Sequence, residues 1–354
     1  MSIELTGGID VAREFVLAER PGDPEMRDSV SMWVFDDQAR VGLTRIGVEA
    51  VSANWERHGI QVNLAYADGR AYRLRSDVPS HPPGGADGKP RVLGAGPLAF
   101  ECLEPFRTWT MRFDGQAVET SAAALAAGHV DGPLVDIRFE VMATMTVPPW
   151  EPGSLIPEAK SALETHELGL MGGDRYEQLG RSTGRVQVQG GPVLTFEGTA
   201  LRVRRQGVRR LAAFRGHFWP SGLFADGRAF GAITYPPRDD GLPSYNEGFV
   251  IDHDGVRLPA TIQHAAWLRR IQALGEDVSF VFSTPRGKIR ISGETVLSTH
   301  DIHHSDAGFS QDQLRAEHAA FPALQQAGVR WRWDDVETIG MLERSSRMGD
   351  IDWS

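Results

Sequence analysis

Aspartate–glycine pairs punctuate this chain at Asp68-Gly69, Asp114-Gly115, Asp226-Gly227 and Asp254-Gly255, and short alternating runs lie between them. Asp-Gly supplies the positive φ that a tight hairpin turn requires. Runs such as SVSMWVFDD, ARVGLTRIGVEA and IQVNLAYADGRAYRLR alternate apolar and polar residues with a period of two, the pattern of half-buried strands. Each Asp-Gly pair predicts a hairpin, and a further strand pair is predicted to turn near Pro285-Arg286-Gly287. Helical signals are few. SAAALAAG reads as a short insertion, EAKSALETHELGLM as a connecting helix, and SQDQLRAEHAAFPALQQAG as helical from a Ser310/Gln313 capping box, interrupted at Pro322.

The 354 residues exceed what one core usually organises. The best break in the pattern is PPWEPGSLIPEAK, with prolines at 148, 149, 152 and 157. The expected organisation is therefore residues 1–147 as one β domain, 148–174 as a proline-rich linker with a short helix, and 175–354 as a second β domain. Many short strands in two halves predict an all-β protein built of two antiparallel barrels or sandwiches. Small closed barrels often hold one apolar ligand.

A net charge of −10 argues against nucleic acid as a partner. Cys102 is the only cysteine, which rules out an intrachain disulfide and a cysteine metal cage. No apolar run reaches the length of a membrane-spanning helix. The first residues, MSIELTGGIDVAREF, lack the basic-then-apolar pattern of a secretory signal, so a cytoplasmic location is expected. QGGP and GAGP lack the context of a phosphate-binding loop, and there is no GxSxG elbow. No cofactor is expected.

RVRRQGVRR, residues 202–210, packs five arginines into nine residues. On a strand, Arg202, Arg204 and Gln206 share one face, and Val203 and Arg205 share the other. The default is a solvated outer face. An inward cluster would need acidic partners, for which Glu177 and Glu197 are candidates, or an anionic ligand such as a carboxylate, phosphate or enolate. His217 and Trp219 lie in GHFWPSG, where the histidine could serve as acid or base, or could simply pack. Glu177 could be a general base or an ion-pair partner, and Tyr235 could donate to a substrate oxygen or sit satisfied in the core. Trp331 and Trp333 should share a face, with Arg332 opposite. His300-Asp301-Ile302-His303-His304 resembles a metal cluster, but strand alternation splits His300 and His304 from Asp301 and His303, and no metal site is assigned.

Taken in order, SVSMWVFDD, TRIGVEA, LEPFRTWTMRFDG, RYEQLGRSTGRVQVQG, GHFWPSGLFADGRAF, NEGFVIDHDGVRLP and RWRWDDVETIGMLERSS resemble the tandem lipocalin-like family of hydroxyneurosporene synthase (carotenoid 1,2-hydratase) and the AttH-like proteins, over nearly the whole chain and as a divergent member. The resemblance implies two lipocalin-like barrels in tandem and a cavity for a hydrophobic small molecule. It also implies hydration, dehydration, double-bond shift or cyclisation of an isoprenoid-, steroid- or polyketide-like compound. Where that family carries a segment like R-D-H-S-W-G-x-R, this chain has Val203, Arg204 and Gln206 in place of its Asp, His and Trp, while Arg202, Gly207 and Arg209 match. The family's acidic residue after a tyrosine is also displaced, since Tyr235 is followed by Pro236 and Pro237, with Asp239 and Asp240 beyond. An arginine neither donates a proton near neutrality nor tolerates a carbocation beside it, so the hydratase chemistry does not transfer residue by residue. The expected function is a cofactor-independent lyase or isomerase, with His217, Tyr235 and Glu177 as catalytic candidates. Arg202, Arg204, Arg209, Trp219 and Tyr176 are the expected contacts to a hydrophobic ligand, with or without an anionic group. The alternative is a non-catalytic carrier of an amphipathic acid.

Overall fold

The computed structural model describes residues 4–165, 174–208, 215–302 and 323–352. Its strands fall into two antiparallel barrels. The first is built from β1 (Met26–Asp36), β2 (Val41–Val51), β3 (Arg57–Tyr66), β4 (Arg70–Pro79), β5 (Val92–Ala95), β6 (Leu98–Glu104), β7 (Thr108–Ser121), β8 (Leu134–Met145), β9 (Asp174–Val188) and β10 (Leu194–Val208). Pairing of β1 with β10 and of β4 with the end of β7 closes an eight-strand ring. The β5–β6 hairpin is added where the first half of β7 has left β4. The second barrel is a closed ring of β11 (Gly216–Leu223), β12 (Ala229–Thr234), β13 (Asn246–Ile251), β14 (Arg257–Ile262), β15 (Phe280–Thr284), β16 (Gly287–Ile302), β17 (Ala323–Trp333) and β18 (Val336–Ser346). Closure leaves neither ring with a free edge. Two short helices, α1 (Ala122–Ala126) and α2 (Pro157–Thr165), match the expected insertions.

Alternation in the sequence becomes alternation of burial. LVDIRFEVMATM in β8 buries every second residue without exception and turns the others to solvent. Trp331 and Trp333 are both buried, with exposed Arg332 between them. Turns form at Asp68-Gly69, Asp226-Gly227, Asp254-Gly255 and Pro285-Arg286, and Gly69 takes φ +87°.

Three expectations are corrected. Asp114-Gly115 is not a turn, because β7 runs straight through it. A Cβ on Gly115 would lie 2.7 Å from the Pro97 side chain, so the glycine serves a close approach within a strand instead. The helical reading of residues 310–328 fails over 323–328, which form the start of β17; the Ser310/Gln313 cap lies outside the described residues. Both faces of this strand are buried, one in the barrel and one against the other barrel, which removes the polar alternation that marks a strand.

The proline-rich segment is also not where the first sheet ends. Strands β9 and β10 follow it yet pair with β8 and β1, so sheet membership changes between Val208 and Gly216. Residues 148–156 instead form a strap across both barrels. Trp150 exchanges backbone hydrogen bonds with Glu177 of β9 (2.8 and 2.9 Å), and Arg257 of β14 donates to the carbonyls of Pro148 and Pro149. The amides of Gly153, Leu155 and Ile156 donate to buried Glu247 of β13. Prolines break the ladder, and Glu247 takes up the backbone donors left over.

Three cores result. Val30, Met32, Phe100, Met111 and Phe139 fill the first barrel. Phe218, Phe230, Phe280, Phe282 and Trp331 fill the second. A third apolar layer, with Trp33, Trp150, Leu201, Val203, Trp219, Tyr235 and Tyr245, forms the seam between the barrels.

Candidate functional site

Strands β9 and β10 are shared by two of these environments. Their even-numbered residues face the first barrel's interior; the odd-numbered residues 175–179 and 199–205 face the seam, and those nearer the β9–β10 turn, such as Thr183, Arg185, Thr195 and Glu197, face solvent. Register makes the division explicit: Arg202 lies opposite Gln178 and Arg204 opposite Tyr176 on the inner face, whereas Val203 lies opposite Glu177 and Arg205 opposite Arg175 on the seam face.

On the inner face Arg202 and Arg204 are fully buried, which overturns the solvated outer face expected for them. Gln206 does share their face, and bonds Asp28 and the Phe15 carbonyl beside Arg204. The acidic partners are Glu14 and Asp28 rather than Glu177 or Glu197. Arg202 Nη2 donates to Glu14 and to Gln178, each at 2.7 Å. Arg204 pairs with Asp28 and donates to the Phe15 carbonyl at 2.7 Å. Glu14 arrives on a short 3-10 turn, Val11–Glu14, whose start is capped by the Asp10 side chain. Its carboxylate also accepts from the Phe106 amide and the Trp109 indole, both at 2.8 Å, and from the Tyr176 hydroxyl. Burial opposes its ionisation, but Arg202, Tyr176 and the other donors outweigh burial and hold the carboxyl below its usual range. Burial, with Glu14 alongside, pushes the Cys102 thiol up to about 12, so the thiol is inert. Each arginine of this cluster has its own carboxylate counterion, while Arg202 Nε and Nη1 and Arg204 Nε have no hydrogen-bond partner among the described residues.

The seam face differs. Glu177 is 3% exposed and accepts from Arg175 and from the Trp219 indole at 2.9 Å. The Arg175 guanidinium lies 4.4 Å from the centre of the Trp219 ring, and Trp33 meets Trp219 edge-on at 4.9 Å. Trp150 flanks Glu177 through the backbone bridge. Here burial prevails over Arg175, Trp219 and Arg205, and the Glu177 carboxyl is raised above its ordinary range. The indole nitrogens of Trp33 and Trp150 are buried with no acceptor among the described residues. Tyr235 packs 5.7 Å from Tyr245, whose hydroxyl donates to Glu247 at 3.0 Å.

His217 lies two residues before Trp219, on the same face of β11. Its Nδ1 is 2.8 Å from Ser345 Oγ, and its Nε2 is 3.3 Å from Glu343. Glu343 also accepts from Gln326 at 2.7 Å and lies 3.4 Å from Arg45. Burial raises the Glu343 carboxyl, but Arg45, His217 and Gln326 together bring it down to about 2.

Of the residues singled out in the sequence, the structure thus brings Glu177, Trp219, His217 and Tyr235 to the seam. It sends Arg202, Arg204 and Tyr176 into the first barrel, and Arg209 lies outside the described residues. His300 faces the second barrel's interior, whereas Asp301 faces out to Arg73 at 2.8 Å; His303 and His304 lie outside the described residues. Sequence reasoning missed Glu14, Asp28, Arg175 and Glu343, and it placed Trp33 on a strand without linking it to Glu177. A recess of about 620 Å³ opens over β7–β9, but its arginines, Arg112, Arg138 and Arg185, are exposed and paired with Glu101, Asp114 and Glu140, and no candidate residue lines it. No described helix is long and apolar enough to cross a membrane.

The sequence matches the family described as "Domain of unknown function (DUF7064)" over residues 16–347, and the chain belongs to that family. No curated protein matches it. Among solved structures, it is similar in fold to a putative AttH from Nitrosomonas europaea (14% identity, 90% of this chain and 91% of that one, TM-score 0.52). It is similar to kievitone hydratase from Nectria haematococca (8% identity, 99% and 98%, TM-score 0.51) and to a protein named CghA (10% identity, 91% and 88%, TM-score 0.52). At these identities the likeness is one of fold.

Proposed function

We propose that this DUF7064 protein is a cofactor-independent lyase or isomerase acting on a hydrophobic, carbonyl-bearing small molecule of isoprenoid, steroid or polyketide type, at the seam between its barrels. The observation that carries the reading is Glu177: a buried carboxyl with a raised pKa, set among Trp33, Trp150 and Trp219 and flanked by Arg175 and Arg205. A carboxyl raised above its usual range in a water-poor site suits proton transfer. Two guanidinium groups beside it disfavour a carbocation and favour an oxyanion. The chemistry that fits both is enolisation. Glu177 removes the proton α to the carbonyl, and the electron pair moves onto the carbonyl oxygen, where Arg175 offsets the charge. Returning the proton to the γ carbon of a conjugated enolate shifts the double bond. Expelling a β-hydroxyl together with the proton releases water, and the reverse adds it. Trp219 fixes the carboxyl through its indole N–H, and His217 and Tyr235 complete the polar rim.

The fold shared with the AttH protein and with kievitone hydratase supports placing the chain near the hydratase-like tandem barrels. Arg204, at the position of the hydratase histidine, is occupied in an ion pair with Asp28, which supports a different chemistry here. The internal counterions of Arg202 and Arg204 weigh against a carrier that uses them to hold an acid.

The test begins with protein purified from its own host and extraction of the bound molecule. That molecule is then incubated with the protein in D₂O. Deuterium gained α to a carbonyl, or a product altered by water or by a shifted double bond, is the expected result, and Glu177→Gln should lower the rate by about 10²- to 10⁴-fold. A bound molecule recovered unchanged and undeuterated would make the protein a carrier and overturn the reading.

A further inference from the structure

The second barrel carries its own polar cluster, remote in register from the seam face. His300, Gln325, Arg344 and Phe218 lie directly opposite one another across β16, β17, β18 and β11, so all four share one face. Phe218 belongs to the aromatic core inside the barrel, which identifies that face as the interior. Within this row the hydrogen bonding is nearly complete. Arg344 Nε donates to Gln325 at 2.6 Å, Nη1 donates to the Ala266 carbonyl at 2.9 Å, and Nη2 pairs with Glu276. Gln325 in turn donates to Ser298 Oγ at 3.2 Å.

His300 is the exception. It is 3% exposed, and neither Nδ1 nor Nε2 has a hydrogen-bond partner among the described residues. Trp331 Nε1, in the same interior, also has none. An imidazole always presents at least one donor, and when neutral it presents one donor and one acceptor. Leaving both unused in an apolar interior costs about 1–3 kcal/mol for each group. Arg344 excludes a cation from this site, and its pairing with Glu276 leaves no net positive charge to attract an anion. What remains is an uncharged group able to accept and donate at once.

We propose that the interior of the second barrel is a binding site for an uncharged hydroxyl group, held by His300 where the polar row meets the aromatic rings. The hydroxyl belongs either to an enclosed water or to an apolar molecule whose body lies against Phe218, Phe280 and Trp331. Burial, then the nearby Arg344, push the His300 imidazole down to about 3, which keeps it neutral and able to play both roles.

A high-resolution crystal structure of the unmodified protein, together with crystals soaked in phenol or in toluene, tests this. Non-protein density within hydrogen-bond distance of a His300 ring nitrogen is expected. A single oxygen that persists in the phenol soak identifies water. Replacement of that oxygen by phenol, but not by toluene, identifies an alcohol site, and phenol should then raise Tm in solution for the wild type and not for His300→Phe. Ring nitrogens bonded only to protein atoms, no density beside them, or toluene and phenol binding alike away from His300 would each overturn the proposal. The wild-type crystals decide the matter even if the variant does not fold.

Discussion

Glu14 and Glu177 are both buried carboxylates paired with an arginine of the same two-strand ladder, yet their protons behave oppositely. Glu14, inside the first barrel, meets Arg202, a phenol, an indole and a backbone amide, and its pKa is lowered. Glu177, on the opposite face and next in sequence to Tyr176, meets Arg175 and one indole, and its pKa is raised. Adding donors to a carboxylate stabilises the charged form, and removing water without replacing it destabilises that form. One extended ribbon therefore holds a structural carboxylate through Arg202 on one side and carries a chemically poised one, Glu177, on the other.

The largest expected effect breaks the comparison at its stable end. Glu14→Ala strands Arg202 in the barrel without its counterion and should cost about 3–5 kcal/mol, read as a fall in the urea midpoint. Pairing Glu14→Leu with Arg202→Met should recover only part of that loss, because it avoids the desolvation of both charges but leaves the Phe106 amide, the Trp109 indole and the Tyr176 hydroxyl without their acceptor. Glu177→Gln, by contrast, keeps an acceptor for the Trp219 indole and removes a charge that burial already opposes, so its urea midpoint should fall less than that of Glu14→Ala while turnover is lost. Similar losses of stability at both positions would erase the distinction.

Acid sharpens the contrast next. Glu343 falls to about 2 in the fold from an ordinary value of 4.5, so its contribution is complete above 4.5 and disappears as pH falls toward 2. Glu14 shifts in the same direction. Glu177 has the opposite sign: its raised pKa favours the fold when protonated, and that contribution is lost as pH rises through the folded value. Denaturation curves at stepped pH should show Glu343→Gln flattening the loss below pH 4.5.

His300 adds an acid effect of its own, with a larger shift than that of Glu343. Its pKa of about 3, against an ordinary 6.5, means the unfolded chain takes up a proton that the fold refuses between those values. Stability is complete above 6.5 and declines as pH falls through that window. His300→Gln should remove this part of the acid sensitivity, measurable as a shallower slope of the unfolding free energy between pH 6 and 4.

Local periodicity made the all-β architecture legible, because alternation and Asp-Gly turns are set by neighbours in sequence. It also placed Arg202, Arg204 and Gln206 on one face and separated His300 from Asp301. It did not say which face was inward, because Glu14 and Asp28 stand 188 and 176 residues from the arginines they neutralise. The division of the chain misled for a related reason. Prolines 148–157 interrupt the strand pattern, but the strands beyond them complete the first ring, and ring closure is a long-range property. Glu177, Trp219, His217 and Tyr235 were nameable from sequence; their meeting with Trp33 and Trp150 depends on two barrels packing face to face.

The most direct test of the account is a carbon-13 titration of the glutamate side-chain carboxyls by NMR, with the Glu14 and Glu177 signals assigned from Glu14→Gln and Glu177→Gln samples. The account predicts that Glu177 titrates above the ordinary 4.5 and Glu14 below it. A Glu177 midpoint at or below 4.5 would make it another structural carboxylate and contradict its assignment as the acid and base of the seam.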